Sequence, residues 1–162
     1  MSRHPTRRTL LAVIAAAAAA PTLAQVVAPA AKKPVVEVWK DPNCGCCKDW
    51  VTHLQDNGFA VTVHDTGNTA VRAQLGIDPK YGSCHTAVVA GYALEGHVPA
   101  REIHRLLAEK PAARGLAVPG MPIGSPGMDG EAYGGRKHPY DVLLLAKDGS
   151  SKVYQRYEGS KS

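Results

Sequence analysis

Sulfur is scarce in this chain and acidic charge is missing from its start. Four cysteines and three methionines serve 162 residues, and no Asp or Glu precedes Glu37. Long apolar runs are also lacking. Leu10–Ala20 is apolar for about 11 residues, whereas a membrane-spanning helix needs roughly 20, so this run is too short for a transmembrane anchor. No internal repeat is visible.

The acid-free start has its own logic. Arg3, Arg7 and Arg8 precede the apolar run, and the small-residue site Thr22-Leu23-Ala24 follows it. Charged, apolar and small segments in that order describe a secretory signal peptide over residues 1–24, cleaved after Ala24. Thr6-Arg7-Arg8-Thr9-Leu10-Leu11 also resembles a twin-arginine export signal, with an ordinary Sec signal as the alternative. Residues 25–34 read as a flexible lead-in, 35–157 as one domain and 158–162 as a tail. Cleavage would lower the Lys+Arg count from 19 to 16 against 14 acids. A mature formal charge of only about +2 gives little reason to expect nucleic-acid binding or membrane attachment. The expected location is the periplasm.

Periodicity predicts alternating elements. Val35–Trp39 is a β-branched strand, and Asn43 is placed to cap a helix from about Cys46 to Asn57. On that helix Cys47, Val51 and Leu54 share a face, with Trp50 beside it. A strand over Ala60–His64 and a helix over Thr69–Leu75 follow. Strands at His85–Ala90 and Tyr92–Glu95 flank Gly91, and Pro99 opens a helix to Lys110 whose stripe is Ile103, Leu106 and Leu107. A last hairpin, Asp141–Ala146 with Lys152–Tyr157, turns at Asp148-Gly149. The order β-α-β-α-β-β-α, with thiols opening the first helix, is that of a thioredoxin-like α/β fold: a central mixed sheet with flanking helices. This layout brings the Ser83-Cys84-His85 turn to the thiols of Cys44-Gly45-Cys46-Cys47.

Three of the four cysteines lie within those four residues. Cys44 and Cys47 have the CxxC spacing of a thiol–disulfide oxidoreductase, at a helix start that favours thiolate. Cys46 between them would invite disulfide scrambling, yet it adds a thiolate to a metal site. Thiolates select Cu(I), zinc or iron–sulfur centres. Structural disulfides and a four-cysteine zinc site stay open as further alternatives. Apart from Met1, the methionines are Met121 and Met128, both in the Gly/Pro-rich segment 120–128. Thioether is a soft ligand that survives in oxidising compartments. His85 is the foremost histidine because it adjoins Cys84. His97 and His138 are loop residues that rank behind it, and His53 is equally well explained as an exposed helix position. His64 and His104 carry no usable signal.

Four motifs together resemble the DUF411 family, whose better-characterised members are periplasmic CopG-type copper-resistance proteins. They are Asp41-Pro42-Asn43-Cys44-Gly45-Cys46-Cys47, Ser83-Cys84-His85-Thr86-Ala87, the Gly91-Tyr92 and Glu95-Gly96-His97-Val98-Pro99 pair, and Gly120-Met121-Pro122 with Gly124-Ser125-Pro126-Gly127-Met128. The resemblance spans nearly all of 35–157. It implies a thioredoxin-like fold and copper held by Cys44, Cys46, Cys47 and Cys84, with His85, Met121 and Met128 as auxiliary or transfer ligands. The expected function is an exported copper-binding protein of copper tolerance. It would bind Cu(I), in one or several ions, support Cu(I)/Cu(II) cycling through its mixed ligands, and exchange copper with other periplasmic copper-handling proteins. The alternative is a periplasmic thiol–disulfide oxidoreductase using Cys44 and Cys47.

Overall fold

The computed structural model describes Met1 and residues 32–160. The expected signal peptide beyond Met1 and the expected lead-in up to residue 31 lie outside the described residues. Seven strands form one mixed sheet: β1 (Val35–Lys40), β2 (Ala60–His64), β3 (His85–Val89), β4 (Tyr92–Glu95), β5 (Gly115–Ala117), β6 (Tyr140–Leu145) and β7 (Ser151–Tyr157). Their spatial order is β2-β1-β3-β4-β5-β6-β7. The β1–β2 and β4–β5 pairs are parallel and the others antiparallel. Among the described residues, three helices, α1 (Gly45–Asp56), α2 (Thr69–Gln74) and α3 (Ala100–Glu109), and 3-10 turns at Pro79–Tyr81 and Glu131–Tyr133 accompany the sheet.

Alternation along the strands separates two apolar layers. On β4, Leu94 joins the larger cluster, with Trp50, Val51 and Leu54 of α1 and Ile103 and Leu106 of α3, while Ala93 joins the smaller one with Ile77, Tyr81 and Leu145. The α1 face of Cys47, Trp50, Val51 and Leu54 is buried as its spacing predicts, whereas Leu107 of α3 is only half-buried. Each large apolar side chain withdrawn from water on these helices contributes roughly 1.5–3 kcal/mol. By contrast, α2 buries none of its residues.

Three local features depart from expectation. Cys44, not Asn43, occupies the N-cap of α1, without a side-chain cap bond; the Asn43 amide is instead held by Asp41 Oδ1 at 2.8 Å. Strand β5 has only three residues, too few for a periodic signal, and it begins at Gly115 because a Cβ there would collide with the Ala93 backbone. Finally, His53 is no idle exposed position. Pro99 ends β-like at the N-cap of α3 and offers no side-chain acceptor, so the Ala100 amide donates across to His53 Nε2 at 3.1 Å. One turn further along both helices, His104 Nε2 donates to the Asn57 carbonyl at 2.8 Å.

The His53 contact makes a pH prediction. Burial holds its pKa below the ordinary 6.5, against the opposing charges of Asp129 and Asp56. The unfolded chain therefore takes up the proton first. The stabilisation is complete above 6.5 and is lost as pH falls from there toward the folded-state value. Denaturation midpoints measured from pH 7.5 to 5.5 should fall more steeply for the wild type than for His53→Gln, which keeps an acceptor but does not titrate. Parallel curves would contradict the capping role.

Candidate metal centre

The sheet register explains why residues some 40 positions apart meet. Antiparallel pairing of β1 with β3 sets Lys40 opposite His85. The turn that leaves β1 and the turn that enters β3 therefore lie at one end of the sheet. The first becomes the start of α1, with the Cys44 amide donating to the Asp41 carbonyl at 3.1 Å. The second carries Cys84. The sulfurs of Cys44, Cys46, Cys47 and Cys84 lie within 4.8 Å of one another. Cys46 Sγ is the hub, 3.6 Å from Cys44 Sγ and 4.0 Å from Cys84 Sγ. Cys47 points into the core, and its Sγ lies 3.7 Å from the Cys84 carbonyl oxygen.

The cluster is half-oxidised. Cys44 and Cys47 form a disulfide, while Cys46 and Cys84 are free thiols. Closing that bond takes two thiolates out of any ligand set. Two electrons restore them.

Cys84 also belongs to a second group, with His85 and His97. His97 is fully buried, and its Nδ1 lies 2.8 Å from the Pro126 carbonyl. A carbonyl only accepts, so Nδ1 carries the proton and Nε2 keeps its lone pair. That lone pair faces Cys84 Sγ at 3.1 Å and accepts the thiol proton. A backbone carbonyl fixing the tautomer behind a presented nitrogen is the arrangement that metal-binding histidines use. His85 is fully buried as well, with Nδ1 3.4 Å from Cys84 Sγ and Nε2 without a hydrogen-bond partner. Its ring lies 4.2 Å from that of Trp50 and 4.9 Å from that of His97. Burial is the main cause that depresses both imidazole pKa values, so the two rings are neutral donors at neutral pH. The Cys84 thiol is pushed up to about 12, first by burial and then by the charge of Cys46.

The methionine segment divides. Ser125, Pro126 and Gly127 are buried, and the segment presses on the first turns of α1. A Cβ on Gly127 would lie 2.6 Å from the Cys46 carbonyl oxygen and 2.8 Å from the Trp50 nitrogen, and its φ of +84° already favours glycine. Met128 is half-buried, and its thioether accepts a hydrogen bond from the Tyr133 hydroxyl at 3.2 Å. Met121 is 52% exposed, so its thioether is turned largely to solvent. It follows Gly120, whose carbonyl accepts from Ser83 Oγ next to Cys84.

Two participants were ranked too low or missed from the sequence. His97 looked like one loop histidine among several, and only the Pro126 contact separates it from His138, which is exposed. Tyr133 was not singled out at all. Its hydroxyl holds the Met128 thioether, and its pKa is raised first by desolvation and then by the charges of Cys46 and Asp49. The Gly134-Gly135 pair after it, both at positive φ, was the one available sign of a tightly turned loop there.

The fold and this donor set define an α/β protein with a cysteine–histidine cluster able to hold a metal at the start of its first helix. The family model described as "Protein of unknown function, DUF411" matches residues 81–128. Two solved structures are similar over most of the chain. The structure titled "Copper resistance protein copG- Form 1" has a TM-score of 0.73 at 46% identity, with 78% of this chain and 99% of that chain covered. Form 2 gives 0.70 at 46% identity, covering 77% and 98%. No curated protein matches. The chain belongs to the DUF411 family, together with the copper resistance protein CopG.

Two outcomes test this geometry. At pH 8, metal-free reduced protein should alkylate Cys84 with iodoacetamide at least about tenfold more slowly than a free cysteine, because so little thiolate is present; equal rates by peptide mass spectrometry would refute the half-buried, protonated thiol. Gly127→Ala should cost roughly 1–3 kcal/mol in urea denaturation and speed labelling of Cys46, since the loop must lift from α1.

Proposed function

We propose that this protein binds Cu(I) through the thiolates of Cys44, Cys46, Cys47 and Cys84 and serves copper tolerance. The observation that carries this reading is the meeting of four cysteine sulfurs within 4.8 Å, in a chain 46% identical to a protein titled for copper resistance. Soft thiolates match Cu(I) and can bridge more than one ion. His97 joins the proposed ligands on the strength of its fixed tautomer, beside His85. Met128 and Met121 are proposed as auxiliary and transfer ligands, Met128 half-buried on the loop against α1 and Met121 on the exposed side.

The proposed frame is thioredoxin-like, with the cluster where such folds keep a redox pair. The proposed setting is the periplasm, reached by the signal at residues 1–24, with residues 35–157 as the binding domain and other periplasmic copper-handling proteins as exchange partners. The mixed sulfur and imidazole donors favour Cu(I)/Cu(II) cycling over storage alone. Closing the Cys44–Cys47 disulfide releases two electrons, which balances the reduction of two Cu(II) ions to Cu(I).

A second reading draws on the disulfide itself. Cys44 is half-exposed at the N-cap and Cys47 is buried behind it, as an attacking and a resolving cysteine would be. As a thiol–disulfide oxidoreductase, the protein would turn over without metal and tolerate Cys46→Ser.

Anaerobic titration of the reduced protein with Cu(I), followed by elemental analysis and a thiol count, separates the two. The copper reading expects at least one copper per chain, and Cys46→Ser weakening binding about as much as Cys44→Ser. Less than one copper per chain, or metal-free reductase turnover that survives Cys46→Ser, would sink it.

A further inference from the structure

Glu95 ends β4 with no exposed surface, opposite Thr86 in the sheet. Its Oε1 accepts from Arg72 Nε at 2.8 Å and from the Ser83 amide at 2.7 Å, and its Oε2 accepts from Thr86 Oγ1 at 2.6 Å. Arg72 reaches past the carboxylate, and its second terminal nitrogen donates to the Ser83 carbonyl at 2.5 Å. Asn68 Nδ2 adds bonds to that carbonyl at 3.3 Å and to Thr86 Oγ1 at 3.2 Å. Both backbone polar groups of Ser83 are thus gripped by one ion pair, and the next residue is Cys84.

Stability alone does not explain this pair. Replacing a buried ion pair with apolar side chains is often neutral or stabilising, because desolvation offsets the attraction. Helix α2, which supplies Asn68 and Arg72 at its start and middle, buries none of its own residues; it is tied to this corner through these polar contacts. What the pair does supply is direction. Fixing the amide and the carbonyl of residue 83 fixes the exit of the chain into Cys84. Cys84 Sγ then sits among three close partners, Cys46 Sγ at 4.0 Å, His85 Nδ1 at 3.4 Å and His97 Nε2 at 3.1 Å. A small rotation of the turn would lose one or more of them. The pair is also neutral overall, so it holds the turn without adding net charge to a cluster of thiolates.

We propose that Glu95 and Arg72 are positioning residues for Cys84, and that their ion pair sets the metal affinity of the cluster without touching the metal. The proposal rests on Cys84 being a Cu(I) ligand. The test is a double-mutant cycle on the reduced full chain, with Cu(I) competed against a chromophoric bicinchoninate chelator under anaerobic conditions. Glu95→Gln should lower Cu(I) affinity by about 10–100-fold, the range for outer-shell partners of metal ligands. In a Cys84→Ser background the same change should have almost no further effect. A second readout needs no metal: Glu95→Gln should alter the iodoacetamide labelling rate of Cys84 while that of Cys46 stays as in the wild type.

Arg72 is partly exposed, and Arg72→Lys, which keeps the charge and loses the forked grip, should shift affinity in the same direction by a smaller factor. It supplies the same cycle if Glu95→Gln does not fold. If Cys84→Ser binds Cu(I) as tightly as the wild type, the four-thiolate reading fails and the positioning role falls with it. If Cys84→Ser weakens binding but Glu95→Gln or Arg72→Lys weakens it by an equal factor in both backgrounds, the reading stands and the positioning role is overturned.

Discussion

The antiparallel pairing of β1 with β3 is the constraint on which the rest of the site depends. Sheet hydrogen bonds allow only discrete registers, and a slip of one residue would turn every side chain to the opposite face. With Val36, Val38, Ala87 and Val89 all committed to the same buried layer, such a slip would turn one strand's pair of apolar side chains out of it. Core packing therefore fixes the register, and the register fixes the distance between two turns that have no other covalent or helical link. The thiol cluster is held together by hydrophobic burial elsewhere in the molecule.

Much of this was legible in the chain. The β-branched run before Cys44, the helical spacing of Cys47, Val51 and Leu54, and the β-β-α order after Cys84 sufficed to bring Cys84 to the other three cysteines, because local periodicity and connection rules act on residue types that a sequence displays openly. What stayed hidden was decided by contacts between segments. His97 and His138 look alike as loop residues, yet only one finds the Pro126 carbonyl. Met121 and Met128 share a segment, yet one faces largely to solvent and the other meets Tyr133. The three-residue β5 exists because β4 and β6 offer it partners on both sides, and nothing in Gly115-Leu116-Ala117 taken alone announces a strand. Asn43 has the chemistry of a cap but is one residue too early, and the cysteine after it takes the position.

The histidines show how one residue type is put to separate uses in a small domain. His53 and His104 bind α1 to α3 through a backbone amide and a backbone carbonyl. His64 stacks on Trp39 at the β1–β2 edge. His85 and His97 stand in the core with nitrogens directed at sulfur. Burial keeps these last two neutral, and a neutral imidazole is both the form that tolerates the core and the form that donates to a metal. One desolvation effect thus serves packing and ligand chemistry together.

The bond between His97 and Pro126 has a kinetic side. With Nδ1 bonded to the Pro126 carbonyl, the imidazole swings aside only by giving up that bond or by taking the loop with it, and Gly127 of that loop is wedged against the first turns of α1 with almost no clearance. The ring behaves as a latch whose handle is the loop. A withdrawal of this nitrogen that keeps the bond is then set by how often the loop lifts from the helix, a collective motion slower than the rotation of a single side chain.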